Sequence, residues 1–361
     1  MARRPAHSLF GVHGVPNRAV CGGLQVESPV FDCLSYCCGR PDKCDAVCRN
    51  KPQEFARRVW EIQGFGLDNV PRASALPAPR LPKLVPELFH GDNRNAPFEG
   101  GPIVCLPLYK VIPRSGGAPR YESFQALAKG FEFSTASRVI LRGADRDRPL
   151  ERWWSLGPER LEIIRALQDL RVNLVTTPNF SLFTDQPRWD DMHSMKRIAL
   201  VHEEFLRMGV PAALHLNART DRDWDRWREY IAGRPEVTHV AYEFATGAGW
   251  PNRIDWHVAQ LSRLSADVGR PLHLTVRGGA KALPRLIAAF SDITILETTA
   301  FFKTMNRQRG KINSSGAVTW STSPTPIGAM LDDLLAENWQ AVSSSYAKLL
   351  GETEQLLEAA G

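Results

Sequence analysis

What this sequence lacks narrows its reading quickly. No uninterrupted apolar run reaches the roughly 18 residues a membrane-crossing helix needs. No continuous apolar stretch follows the basic start Met1-Ala-Arg-Arg-Pro5, so no secretion signal is expected. Both absences point to a cytoplasmic chain with no membrane partner. No Gly-x-Gly-x-x-Gly follows the first apolar run, which deprives a doubly wound dinucleotide-binding sheet of its phosphate fingerprint. Evenly spread, paired cysteines are missing too. Of seven cysteines, five fall between Cys33 and Cys48. An odd, tightly clustered set argues against a disulfide scaffold and for thiolates gathered on a metal.

What is present is globular. The chain has 361 residues, 43% hydrophobic and 23% charged, enough for a substantial core. A formal net charge of +6 permits nucleic acid or a small anionic substrate as partner without requiring either. Much of the arginine is interleaved with acid, as in Asp221-Arg-Asp-Trp-Asp-Arg-Trp-Arg228, which reads as a solvated helix face.

Three textures divide the chain. Residues 1–100 read as a cysteine-rich N-terminal module, with one helix at Pro52–Gln63 and a proline-rich connector from Pro71 to Pro86. Successive prolines deny that connector both helix and central strand, so it should lie extended over another surface. Residues 101–300 alternate short apolar runs with amphipathic helical segments. Candidate strands are Ile103–Tyr109, Arg138–Arg142, Val172–Thr177, Ala212–Asn217, Val237–Phe244, Leu272–Arg277 and Ile293–Thr298. Helical patterns between them cover Tyr121–Gly130, Pro158–Leu170, Asp190–Met208, Asp221–Ala232, Arg253–Val268 and Lys281–Phe290. Asp221 reads as an N-cap, with Gly209 and Gly269 just past C-termini. Residues 301–361 read as a basic loop followed by a helix, Ile327–Glu358, packed on the rest. Strand–helix alternation means parallel strands. The fold expected is α/β, a TIM-like (βα) barrel, incomplete or irregular, whose eighth strand comes from elsewhere in the chain.

Side chains alternate along a strand, so residues two apart share a face. His215, Asn217 and Arg219 form one lane, His239, Ala241 and Glu243 a second, and His273, Thr275 and Arg277 a third. Each runs opposite an apolar lane suited to the helix layer. The polar lanes therefore face the lumen, and their upper ends are where barrel enzymes keep their sites. Around that rim stand Arg142 and Asp145, Asn179, Asn217 and Arg219, Glu243, Arg277 and Glu297. Glu297 and Glu243 are the candidate acid–base or nucleophilic carboxylates, with Asp145 beside them. Arg142, Asn179, Asn217, Arg219 and Arg277 are the candidate substrate contacts, since a guanidinium fork fits phosphate or carboxylate. Lys303, Arg307 and Arg309, with Phe301 and Phe302 for stacking, would hold a nucleic-acid backbone. A metal centre of His215, His239 and His273 is a second reading of the same lanes.

In the cysteine cluster, Cys33, Cys37, Cys44 and Cys48 form two Cys-x3-Cys pairs, with Cys38 as a spare. These spacings suit a [4Fe–4S] cluster, with Zn2+ as the alternative. Cys105, in an apolar strand, reads as a core residue.

The stretch Val175-Thr-Thr-Pro178-Asn179-Phe180-Ser181-Leu-Phe, a helix ending at Gly209, and Pro211-Ala-Ala-Leu-His-Leu-Asn217 resemble an uncharacterised bacterial and phage family. There a Pro-Asp-Phe-Ser-Leu-Tyr motif precedes a helix and a strand. Asn179 stands where that family carries Asp, and so brings an amide in place of a carboxylate. More distantly, a barrel with a cysteine-bound metal resembles the tRNA-guanine transglycosylases and their DNA-modifying relatives. These exchange a base using carboxylates at the barrel rim. Their zinc cysteines follow the late strands, whereas those here precede the barrel. The resemblance implies an enzyme of base or glycosyl exchange on nucleic acid or nucleotide. The alternatives are a non-catalytic Fe–S or zinc-binding component of a phage or mobile-element complex, and a metal-dependent hydrolase using the lumen histidines.

Overall fold

The computed structural model describes residues 52–113, 117–183 and 188–360. Cys33, Cys37, Cys38, Cys44 and Cys48 lie outside the described residues, and Cys105 is buried in the core. Eight parallel strands follow one another around a single sheet. They are β1 (Leu84–Pro86), β2 (Ile103–Pro107), β3 (Arg138–Arg142), β4 (Val172–Thr176), β5 (Ala212–His215), β6 (His239–Glu243), β7 (His273–Arg277) and β8 (Asp292–Glu297). Each from β2 onward pairs with its successor in the chain, and β1 pairs with β8. One parallel bridge, Glu87 to Cys105, joins β1 to β2, with the Leu88 N–H donating to the Cys105 carbonyl at 2.9 Å. The result is a nearly closed barrel.

The missing strand comes from the proline-rich connector. Leu84 and Val85 lie between Pro82 and Pro86, so only a short strand can form, and it sits where little pairing is demanded of it. The rest of the connector passes beneath the barrel. Leu81 packs against the lumen residues Ile103 and Leu296, and the Pro82 carbonyl accepts the Thr294 hydroxyl at 2.9 Å. The connector is thus both the floor of the barrel and its first stave.

Helices separate the later strands: α1 (Pro52–Ile62) precedes the barrel, and α2 (Leu108–Val111) and α3 (Phe124–Phe131) follow β2. Next come α4 (Asp147–Ser155), α5 (Glu159–Ala166), α6 (Arg188–Arg207), α7 (Asp221–Ala232), α8 (Ile254–Val268), α9 (Leu283–Ala289) and α10 (Thr299–Met305). Residues 87–102, between β1 and β2, contain no helix.

Helix α7 corrects two expectations. Its N-cap is Thr220, whose hydroxyl accepts the Asp223 N–H, while the Asp223 carboxylate accepts the Thr220 N–H, a reciprocal capping box. Nor is its charged run a solvated face, because Asp223, Arg226 and Arg228 are buried with Trp224 and Trp227. Arg226 donates to the Phe65 carbonyl and Arg228 to Gln260 and Asp225, so these charges hold the helix to its neighbours.

Residues 301–361 also differ from a loop. Lys303 lies in α10, and a hairpin of β9 (Gln308–Ile312) and β10 (Val318–Thr322) follows. Helix α11 (Asp332–Ala360) then packs on the barrel through Leu335 and Leu350. Asn338 fastens these pieces: its amide donates to Thr304 Oγ1 and the Gln308 carbonyl and accepts the Gly310 N–H.

Candidate functional site

The lumen is filled in layers. A belt of Val85, Ile103, Cys105, Ile140, Leu174, Ala213, Ala241 and Leu296 is apolar. Two alanines among larger chains leave room that polar groups occupy above and below. Below lie His239 and His273, stacked with ring centroids 4.7 Å apart. His239 meets the Pro79 carbonyl at 3.2 Å, and His273 lies 2.8 Å from Thr294 Oγ1. His215 is level with Ala241, one lane position above them. The three-histidine metal centre is therefore not formed, and no group of three metal-ligating side chains occurs among the described residues.

Above the belt, Glu87 is the centre of a charged network. It is 1% exposed. Its Oε1 accepts Arg142 Nε at 2.5 Å and its Oε2 accepts Arg277 Nε at 3.0 Å. Arg277 continues to Glu243, with Nη1 at 3.2 and 3.3 Å from the two carboxylate oxygens. Two arginines and two glutamates balance, as buried charges must. Glu243 and Arg277 thus meet inside the barrel as their lane assignments require, and Arg142 joins them from the end of β3. The cost is that Arg142 and Arg277 are already engaged by carboxylates.

Glu297 is on the other side of the wall. In β8 the register pairs Thr275 with Thr294 and Arg277 with Leu296, which puts Thr294 and Leu296 in the lumen. Ile293, Ile295 and Glu297 then face the helices. Glu297 accepts the N–H groups of Thr299 and Ala300 at 2.6 and 3.1 Å, closing the first turn of α10. It caps a helix and does not face Glu243 across the lumen.

A cleft of about 360 Å3 opens at the C-terminal ends of β3 to β6. Asp145, Asn179, Asn217, Arg219 and Glu243 line it together, joined by Ser181, Phe183, His215, Tyr242 and Thr246. The strand ends hold these groups in place. Gly143 lets the chain after β3 approach β4 closely, since a Cβ there would lie 2.2 Å from the Thr176 carbonyl oxygen. Asn179 accepts the Asp145 N–H at 3.1 Å, and Asn217 donates to the Phe180 carbonyl at 2.9 Å. Arg219 Nε donates to the Leu182 carbonyl at 2.8 Å. The Asn-Phe-Ser segment after β4 is thus a polar scaffold tying three strand ends together.

The electrostatics of the cleft are those of a partly dry site. Burial raises the Glu243 carboxyl above the usual carboxylate range, outweighing the Arg277 and Arg142 charges and the Ala245 N–H. His215 is pushed down to about 3, first by burial and then by the nearby Arg142 charge, so it stays neutral at pH 7. Its Nδ1 has no hydrogen-bond partner. Burial also lowers the Arg219 guanidinium, and no carboxylate pairs with it among the described residues.

The proposed nucleic-acid segment is disposed differently. Phe301 is buried, tilted against Phe89 and edge-on to His90, and Phe302 packs on Phe89 with ring centroids 4.4 Å apart. Lys303 lies over Trp320, Arg307 donates to Thr325 Oγ1 at 2.8 Å, and Arg309 pairs with Glu337 at 2.5 Å. These side chains hold the hairpin to its surroundings. Among the described residues, no helix is long and apolar enough to cross a membrane.

Sequence reasoning missed Glu87, the role of His215 in the cleft, and the aromatic Phe183 at its lip. Phe183 had a signal, a large apolar residue two positions after the Asn-Phe-Ser segment. Glu87 had almost none, because its strand hides among prolines. Comparison with protein-family models and with curated proteins finds no match to this chain.

Proposed function

We propose that this chain is an enzyme that breaks or exchanges a glycosidic bond in a small, nucleotide-like substrate, using acid–base groups at the mouth over β3 to β6. The observation that carries the reading is the position of Glu243, which ends the buried ion network and also lines the cleft. A carboxyl whose proton affinity is raised by burial, set at a cleft wall, is suited to give and take a proton. Asp145 supplies a second carboxylate to the same cleft from another strand end, and such chemistry uses two. Neutral His215 adds a hydrogen-bonding group between them in strand order. Phe183, 43% exposed, offers a face on which a flat base can lie. Pockets for small ligands run from roughly 300 to 1,000 Å3, so this one suits a single nucleotide or one flipped from a strand. Glu243 takes the catalytic place that the sequence divided between it and Glu297.

The test is turnover. Purified protein incubated with mixed nucleosides, nucleotides and short oligonucleotides should consume one component and release a free base or sugar, followed by mass spectrometry. Glu243→Gln should slow that release by about 10²–10⁴-fold, the usual contribution of a positioned general acid or base. Equal rates in the two proteins would overturn the assignment.

A further inference from the structure

Of the charged groups that line the cleft, Asp145, Arg146 and Asp147 come from the chain after β3 and Glu243, paired with Arg277, from β6, while Arg219, which meets no carboxylate among the described residues, comes from the chain after β5. A second unpaired cation stands behind the same wall. Arg253, half-buried, precedes α8, and a Cβ on Gly247 would lie 4.0 Å from its Nη1. Gly247 sits between Thr246 and Ala248, both of which line the cleft. Arg219 and Arg253 are near enough to act together on Tyr242 and His257, which hydrogen-bond each other at 2.6 Å. Neither arginine has a salt-bridge partner among the described residues. Asp191 and Asp223 favour the Arg219 charge from a distance, but Asp191 accepts the Phe183 N–H and Asp223 caps α7.

The basic groove beneath α7 makes the contrast. Arg72, Arg222 and Arg234 line its space of about 530 Å3, and each already meets a glutamate or aspartate. Cations there are satisfied, whereas at the cleft they are not. Two guanidinium groups without carboxylates, one of them desolvated, leave a local charge that a doubly negative ligand would balance.

We propose that the cleft seats a phosphate-type dianion between Arg219 and Arg253, so that the substrate carries a phosphomonoester. This rests on the cleft being the reaction site and names the class of molecule that enters it. With its phosphate at the loops after β5 and β6, a nucleoside monophosphate or sugar phosphate lies across the cleft toward Asp145. Its reacting bond then passes over His215 and Glu243. Arg253 and Arg219 are binding residues in this arrangement, and Glu243 does the proton work.

The probe is inorganic phosphate, titrated into the full chain at pH 7.5 and constant ionic strength, with ³¹P line broadening and calorimetry as readouts. Saturable binding is expected, weakened at least tenfold in Arg219→Gln and in Arg253→Gln, and retained in Glu243→Gln. Circular dichroism checks that each variant is folded. Arg253→Lys, which keeps the charge and loses the fork, provides a milder variant with an intermediate loss. Acetate at equal ionic strength should compete poorly. Absence of saturable binding, equal displacement by acetate or chloride, or wild-type affinity in folded arginine variants would each overturn the dianion site. The Glu243→Gln turnover comparison stands apart from these outcomes, so loss of one proposal leaves the other to be judged separately.

Discussion

The lumen network and the cleft above it are built from the same residue types, yet they behave in opposite ways. In the lumen, Glu87, Arg142, Arg277 and Glu243 satisfy one another at 2.5 to 3.3 Å with no net charge. Along the cleft, His215 has an orphaned ring nitrogen and Arg219 has no carboxylate partner among the described residues. Completed pairing makes the first region a structural rivet. Incomplete pairing makes the second a place where a ligand has something to add. Glu243 belongs to both, and this is what fits it for chemistry. The rivet holds its position while the cleft gives it access to a substrate.

Acid is the strongest way to break that arrangement. Burial lowers His202, His239 and His257 to about 4 and His215 to about 3. All four are neutral in the native protein above those values, whereas an unfolded histidine takes up its proton near pH 6.5. Stability is therefore fully present above about pH 6.5 and is lost as pH falls toward 4, because only the unfolded chain gains protons there. Each histidine contributes about 1.4 kcal/mol per pH unit at most in that window. Unfolding free energies from urea titrations at pH 7 and pH 5 should differ by on the order of 5 kcal/mol in total. A flat profile between those pH values would show that the histidines are hydrated in solution.

Removing the centre of the rivet comes next in size. Glu87→Gln keeps the shape but leaves Arg142 and Arg277 with one carboxylate between them. Breaking a buried pair on one side costs about 3–5 kcal/mol, readable as a lowered urea midpoint with an unchanged slope. The same substitution withdraws a like charge that now raises the proton affinity of Glu243. The limb of any pH–rate profile that reports Glu243 should move to lower pH. A loss of stability without that movement would separate the two regions that the Glu87–Arg277–Glu243 contacts join.

How much of this was legible in the sequence follows from periodicity. Glu243 and Arg277 were found because two-residue alternation set them against apolar lanes that only a helix layer could cover, and Arg142 because it ends a candidate strand. The same rule locates Glu297, provided that Thr294 is taken as the marker of the lumen. With isoleucine and leucine distributed over both lanes of β8, the threonine is the one polar residue inside the strand, and it lies with Leu296 toward the lumen. Glu87 was not legible, because a strand of three residues closed by Pro86 has no period to read. Arg253 was equally hidden. It lies against the Gly247–Gly249 turn behind the cleft wall, a tertiary approach that sequence spacing cannot report. The hairpin after α10 was missed because its polar residues pair through the backbone and its strands bury little.

Glu297 offers a smaller and sharper contrast with Glu87. Both are buried glutamates at neighbouring strand ends, but Glu297 is satisfied by two backbone N–H groups and has no arginine partner among the described residues. Glu297→Gln should cost about 1 kcal/mol, as for loss of a helix cap, and leave turnover within twofold of wild type. Loss of turnover with folding intact would return Glu297 to the catalytic set and weaken the case for Glu243 alone.

The smallest effect is expected farthest from the cleft. Arg309 pairs with Glu337 at 2.5 Å, but both side chains are nearly half exposed, and such pairs contribute about 0.2–1 kcal/mol. Arg309→Ala should therefore change stability by less than about 1 kcal/mol and leave KM for a nucleotide-sized substrate unchanged. If the chain acts on a polymer whose backbone runs over the β9–β10 hairpin, the outcome differs in kind. KM for an oligonucleotide would then rise on substitution, affinity would fall steeply with salt, and the slope against log salt would decrease by about one phosphate contact. Measuring KM for the mononucleotide and the oligonucleotide side by side separates these cases. A rise confined to the oligonucleotide would extend the working surface from the cleft to the hairpin. A rise for both would mean that Arg309 supports the barrel mouth itself, which its pairing with α11 gives no reason to expect.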